Sequence, residues 1–236
     1  MSKSAGVGIG VRRVTDAELA ELLRDCPTLY HMAERGSWLS IREHGLLSTS
    51  ALLDLYGTQG AERAAIEGQR RPGPVTIEHP AFGRAVIRDQ KPMSDAGLRR
   101  CLTDGLTPED WYRLLNGKVF FWLTRARLLR LLNAAPYRNA EHDVLELDTA
   151  SLVGAYREAI TLSPINSGTT MRFPVARGRA TFLPIRDYPY AYWRIKRSHG
   201  ERVVELAVEG DVPDILRFTR CVSRTQNGET WDLLYN

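Results

Sequence analysis

Cysteine is scarce: Cys26, Cys101 and Cys221 are the three in 236 residues. They are odd in number and far apart, with no Cys-x-x-Cys pair and no histidine at metal spacing. A disulfide framework and a zinc site are therefore excluded as organising devices, and reduced, mostly buried thiols are expected. No run of about eighteen apolar residues occurs, which removes a spanning helix. The N-terminus lacks a charged segment leading into an apolar stretch and a small-residue cleavage site, so a soluble, cytoplasmic protein is expected with no membrane partner. No internal repeat emerges, which argues against solenoids and propellers. A dominant charge is lacking too. Thirty-two basic against 28 acidic residues give a net charge of +4 and a pI near 9.1, which permits contact with phosphate backbones without requiring it.

What is present is an ordinary globular composition, 43% hydrophobic and 25% charged, in a length that suits one large domain. Residues 1–27 read as a tail followed by a helix capped at Thr15. Gly6, Gly8 and Gly10 imitate a dinucleotide fingerprint only superficially, since no strand precedes them. Residues 28–236 read as a single domain.

The chain is organised around Leu29 to Leu55. Leu29-Tyr30-His31-Met32-Ala33 has strand alternation, with Tyr30 and Met32 on one face and His31 on the other. Ser37 can cap a helix burying Trp38 and Ile41 that stops at Gly45. The hydroxyls of Ser48-Thr49-Ser50 can cap the next helix. Residues 58–110 are irregular, with a hairpin expected from Val75–Glu78 and Ala85–Arg88, and read as an insertion. Its arginines, Arg63, Arg70, Arg71, Arg84 and Arg88, read first as a scattered, solvated set. Thr107-Pro108-Glu109-Asp110 starts a helix, and Lys118-Val119-Phe120-Phe121-Trp122-Leu123-Thr124 follows as a nearly all-apolar strand. Residues 149–160 are expected helical. Ser163 to Thr170 form a polar loop able to hold a ligand or merely to turn. In Arg202 to Glu209, alternation sets Glu205 among apolar neighbours, where a carboxylate needs a cleft, a partner or water. Short strands mixed with separate helices indicate α+β.

The segments YHMAE, GLLSTSALLDL, VFFWLT, LSPINSG and VVELAV resemble a bacterial protein family over nearly the whole chain from Leu29. The order of the Tyr-His strand, the helix ending in Gly-Leu and the late Glu205-Leu206-Ala207-Val208 strand followed by Val212-Pro213 resembles DarT-type ADP-ribosyltransferases. That resemblance implies an ADP-ribosyltransferase-like split mixed sheet carrying the helical and hairpin insertion. It implies NAD as substrate, no metal, and a nucleic-acid acceptor (DNA or RNA) in a toxin or phage-defence setting, with an antitoxin or regulatory protein as partner. Glu205 would stabilise the oxocarbenium-like state formed as the glycosidic bond breaks. His31, as a neutral imidazole, would position a ribose hydroxyl, and Tyr30, Phe121 and Trp122 would wall the cofactor. Arg88 and Arg125 are the provisional phosphate contacts. The position two residues before Glu205 is Val203 rather than Gln or Glu, which disfavours arginine modification. The competing readings are a non-catalytic binding module on the same fold and an NAD glycohydrolase.

Overall fold

Thr15, Ser48, Ser94, Thr107, Thr124 and Asp148 each start a helix in the same way, the side chain accepting from the backbone N–H three residues on. The computed structural model describes residues 13–171 and 174–236. The tail expected over residues 1–10 lies outside them. In chain order the first elements are α1 (Asp16–Asp25), β1 (Thr28–Glu34), α2 (Ser37–His44), β2 (Leu46–Leu47), α3 (Thr49–Leu55) and α4 (Gly60–Gly68). The strands β3 (Val75–His79) and β4 (Gly83–Ile87) pair as the expected hairpin. Then come α5 (Asp95–Cys101), α6 (Pro108–Asn116), β5 (Lys118–Trp122), α7 (Arg125–Leu132), β6 (His142–Asp148), α8 (Thr149–Tyr156) and β7 (Ile160–Ser163). The chain closes through β8 (Leu183–Pro184), α9 (Tyr190–Lys196), β9 (Glu205–Glu209), β10 (Asp211–Val212), β11 (Thr219–Gln226) and β12 (Glu229–Tyr235).

Eight strands form one sheet in the order β12-β11-β6-β1-β5-β9-β7-β8. Its ladders are all antiparallel. The protein is thus α+β with a large antiparallel sheet, which corrects the mixed sheet expected from the sequence. The intervening helices return the chain in the opposite sense instead of making parallel crossovers. Residues 149–160 are also corrected. The helix ends at Tyr156, and the β-branched run Ile160-Thr161 enters the sheet beside β9.

Period-two alternation divides the strands between two cores. Leu29, Ala33, Val119, Phe121, Leu145, Leu147, Leu206 and Val208 face a main core closed by Trp38 and Ile41 of α2 and by Leu152 and Val153 of α8. Met32 and Val144 face the opposite layer, formed by Leu128 and Leu132 of α7 with Tyr137. Each fully buried leucine contributes about 2 kcal/mol to this packing. A separate cluster, Leu53, Tyr56, Ile66, Ile77, Ala85 and Ile87, joins the β3–β4 hairpin to α3 and α4.

Two features fix the chain after β1. The N-cap of α2 is Gly36 at φ +84°, not Ser37. The cap itself arrives from β6, where buried Asp143 accepts from Gly36 N at 2.8 Å and Trp38 N at 3.2 Å. Gly45, at φ +87°, ends α2 against Pro213, whose backbone a β-carbon would strike. That close approach lets β2 pair with β10, tying the segment after α2 to the segment after Glu205.

Candidate functional site

β1 and β5 are paired at one register position, Tyr30 opposite Trp122, and part on either side of it. The missing ladder leaves backbone groups that need other partners. His31 supplies one, its Nδ1 lying 2.9 Å from the Phe120 carbonyl. A carbonyl only accepts, so Nδ1 carries the proton and Nε2 is the free acceptor. The ring is turned into the seam between the strands and lies 5.8 Å from the Phe121 ring, centroid to centroid. Burial, helped by the nearby Arg88 charge and opposed by the Phe120 bond, lowers its pKa to about 4. Near neutral pH it is uncharged.

Tyr30, Trp122, Glu205 and Ser163 follow one another across four strands in a single row, so they share a face. His31 and Glu205 are neither on neighbouring strands nor on one face of the sheet as expected: β5 lies between them, and alternation sets His31 with Leu29 and Ala33 on the main-core face, opposite that of Glu205. Both line one cavity of about 700 Å³, together with Phe120, Phe121 and Trp122. Its volume falls within the ~300–1,000 Å³ typical of small-molecule sites. Phe120 and Trp122 are half-buried on the face of Glu205. Phe121 points the other way, into the main core at 1% exposure, and backs the His31 ring. Tyr30 is half-buried and packs with the α7 layer.

Glu205 is only 4% exposed. Its two oxygens each lie 3.1 Å from Ser167 N, which donates to them from the polar loop after β7. Desolvation raises its pKa to about 7, against the downward pull of Ser167 and of the Arg127 and Arg177 charges. The loop is pinned in turn. Arg177, itself buried, donates to Ser167 O at 2.8 Å, and Arg197 donates to Pro164 O at 2.6 Å. Thr170 N donates to Pro92 O at 2.9 Å, and Ser94 N donates to Thr170 Oγ1 at 2.9 Å. The loop read as either ligand-holding or turning is thus the support of the carboxylate. Asn166, Ser167, Gly168 and Thr169 also line the cavity.

Of the two provisional phosphate contacts, Arg88 lines the cavity, while Arg125 is exposed at the start of α7 and does not. Residues the sequence reading left unassigned are Phe120, Ser167, Arg177 and Arg71. Phe120 was hidden by its neighbours, since alternation alone gives no face to an all-apolar strand. Arg71 was grouped with the solvated arginines but is 6% exposed. Among the described residues no group of three or more histidine, cysteine or acidic side chains is placed to hold a metal ion, and no helix is long and apolar enough to cross a membrane.

Residues 27–219 match a protein family described as a family of unknown function, DUF7002. The chain belongs to this family. No curated protein matches it. The matched span of the DUF7002 chain opens just before β1 and runs past Glu205, so His31, the β1–β5 seam, the 163–170 loop and Glu205 all fall inside it.

Proposed function

We propose that this domain has an ADP-ribosyltransferase-like fold and that the cavity binds NAD, cleaves its nicotinamide–ribose bond and transfers ADP-ribose. The observation that carries the reading is the meeting of two residues distant in sequence. A neutral histidine in the seam of β1 and β5 and a buried glutamate in the row of Trp122 line one cavity. In this reading His31 Nε2 accepts a ribose hydroxyl. Ionised Glu205 lies beside the ribose as positive charge develops there, and Trp122 and Phe120 flank the nicotinamide. Nucleic acid is the acceptor we infer first, because the resemblance to DarT-type enzymes and the net charge of +4 point the same way. A toxin or phage-defence setting with an antitoxin partner follows from that resemblance.

The test is nicotinamide release by the purified protein with DNA, RNA and protein acceptors and with water alone. Glu205→Gln should fold, keep NAD binding and lose roughly 10²-fold or more in turnover. His31→Ala should weaken both binding and turnover. Equal activity of wild type and Glu205→Gln would remove Glu205 from the chemistry. Release without any acceptor identifies a glycohydrolase. One observation favours the binding-module reading: both oxygens of Glu205 are already engaged by the Ser167 N–H. NAD binding by the wild type without release under any condition decides for it.

A further inference from the structure

Arg71 is buried in the cavity wall without an acid against it. Its Nε donates to the Arg88 carbonyl at 2.9 Å, Nη1 to the Ile66 carbonyl at 2.6 Å and Nη2 to Asn116 Oδ1 at 3.0 Å. These neutral acceptors satisfy part of the guanidinium and leave a donor on each terminal nitrogen uncommitted. The acid whose charge it feels is Asp89. That carboxylate is already bonded by Tyr137 Oη at 2.8 Å and Lys91 N at 2.9 Å, with Lys91 Nζ at 3.2 Å. A buried cation held only by carbonyl dipoles is costly unless an anion completes it.

Arg88 lines the same wall. Its Nη1 donates to the Met32 carbonyl at 3.2 Å, and its guanidinium lies 5.2 Å from the Tyr137 ring centre. Its Nε is buried with no hydrogen bond, at 3.5 Å from Glu34. Gln90 and Asn116, both buried, complete this side of the cavity. Glu205 stands on the β9 side of the cavity. Two guanidinium groups brought by the 58–110 segment stand on the other, Arg88 beside Glu34 and Arg71 within the field of Asp89, with His31 lining the space between.

We propose that Arg71 and Arg88 form an oxyanion subsite that takes the diphosphate of a small nucleotide. Planar guanidinium forks suit phosphate oxygens better than ammonium groups do. Arg71, at 6% exposure, is shielded from water, and a diphosphate offers enough oxygens for both arginines. The subsite belongs to the inserted segment and not to the catalytic row, so it stands whether or not nicotinamide is released.

The test is titration calorimetry of the intact protein with inorganic pyrophosphate, ADP-ribose, adenosine and a short single-stranded DNA. Pyrophosphate and ADP-ribose should bind, and adenosine should bind far more weakly than ADP-ribose. Arg88→Gln, which leaves the buried network of Arg71 intact, should weaken ADP-ribose by roughly tenfold to a hundredfold, the range for losing a charged hydrogen bond. Arg71→Met, with folding checked by circular dichroism, should do the same. Adenosine binding as tightly as ADP-ribose, or Arg88→Gln binding like wild type, overturns the subsite. DNA binding with neither pyrophosphate nor ADP-ribose bound overturns the small-nucleotide assignment. Pyrophosphate binding without nicotinamide release keeps the subsite and removes the transfer reading, whereas release unaffected by Arg88→Gln does the reverse.

Discussion

Glu205 and His31 depart from their ordinary ionisation in opposite directions for the same reason, the loss of water around each. Burial raises the glutamate from 4.5 to about 7 and lowers the histidine from 6.5 to about 4. Between about pH 4 and 7 the folded protein therefore holds both groups neutral. The linkage signs differ. Because the Glu205 pKa is raised on folding, its contribution to stability is fully present below about 4.5 and is lost as pH climbs to about 7. His31, depressed on folding, contributes stability above about 6.5 that is lost as pH falls toward 4. The two partly cancel between pH 4.5 and 6.5, so wild-type stability alone is a poor gauge of either. The difference between wild type and Glu205→Gln isolates the carboxylate. Urea unfolding of the two proteins from pH 4.5 to 8 should show wild type losing about 3 kcal/mol relative to the variant, levelling off above pH 7. A flat difference would mean that the carboxylate is not desolvated. If ionised Glu205 serves the transition state, nicotinamide release should rise with pH through about 7.

Elements show where local sequence suffices and where it does not. The α6 start at Thr107 is a capping box, with Asp110 returning the bond to Thr107 N at 2.8 Å, and every residue of it lies within one turn. Such starts were legible, as were the β3–β4 hairpin and the β9 strand. The α2 start was misread because its cap comes from Asp143, more than 100 residues away. The β1–β5 seam was equally hidden, since a gap between strands belongs to tertiary pairing and has no composition of its own. Arg71 sits in Arg70-Arg71-Pro72-Gly73, a segment with the composition of a surface turn. Only the docking of the hairpin and α6 around it makes it buried. Asp143 offers a test at this scale. It is fully buried and also pairs with Arg224 at 2.9 Å. Asp143→Ala strands a guanidinium and two helix N–H groups at once, which should cost about 3–5 kcal/mol. Urea denaturation measures it, and a loss below about 1 kcal/mol would show that water replaces the cap.

On the scale of the whole molecule, the candidate site lies between parts of unequal cohesion. The central sheet is packed on both faces; β1 pairs with β6 without a break from Thr28 to Glu34, and β11 pairs with β6 on its other side with one irregularity between Thr219 and Cys221. The hairpin rests on a smaller cluster with α3 and α4 and forms a two-stranded sheet of its own. Its turn accepts from Tyr56 Oη at the Phe82 carbonyl, at 3.1 Å, and the flanking Arg71 and Arg88 reach Asn116 and Met32. A small cluster and an isolated hairpin open at lower free energy than strands buried on both faces. Hydrogen exchange read by mass spectrometry should therefore find residues 75–87 exchanging as a unit, at least tenfold faster than β1 and β6, the ratio set by a difference of about 1.4 kcal/mol in opening. A diphosphate nucleotide bridging the arginines to the sheet side of the cavity should slow the hairpin selectively, because it binds only when the hairpin is docked. Protection of the hairpin equal to that of β6 without ligand would show a single cooperative unit, with the cavity wall already fixed before anything enters it.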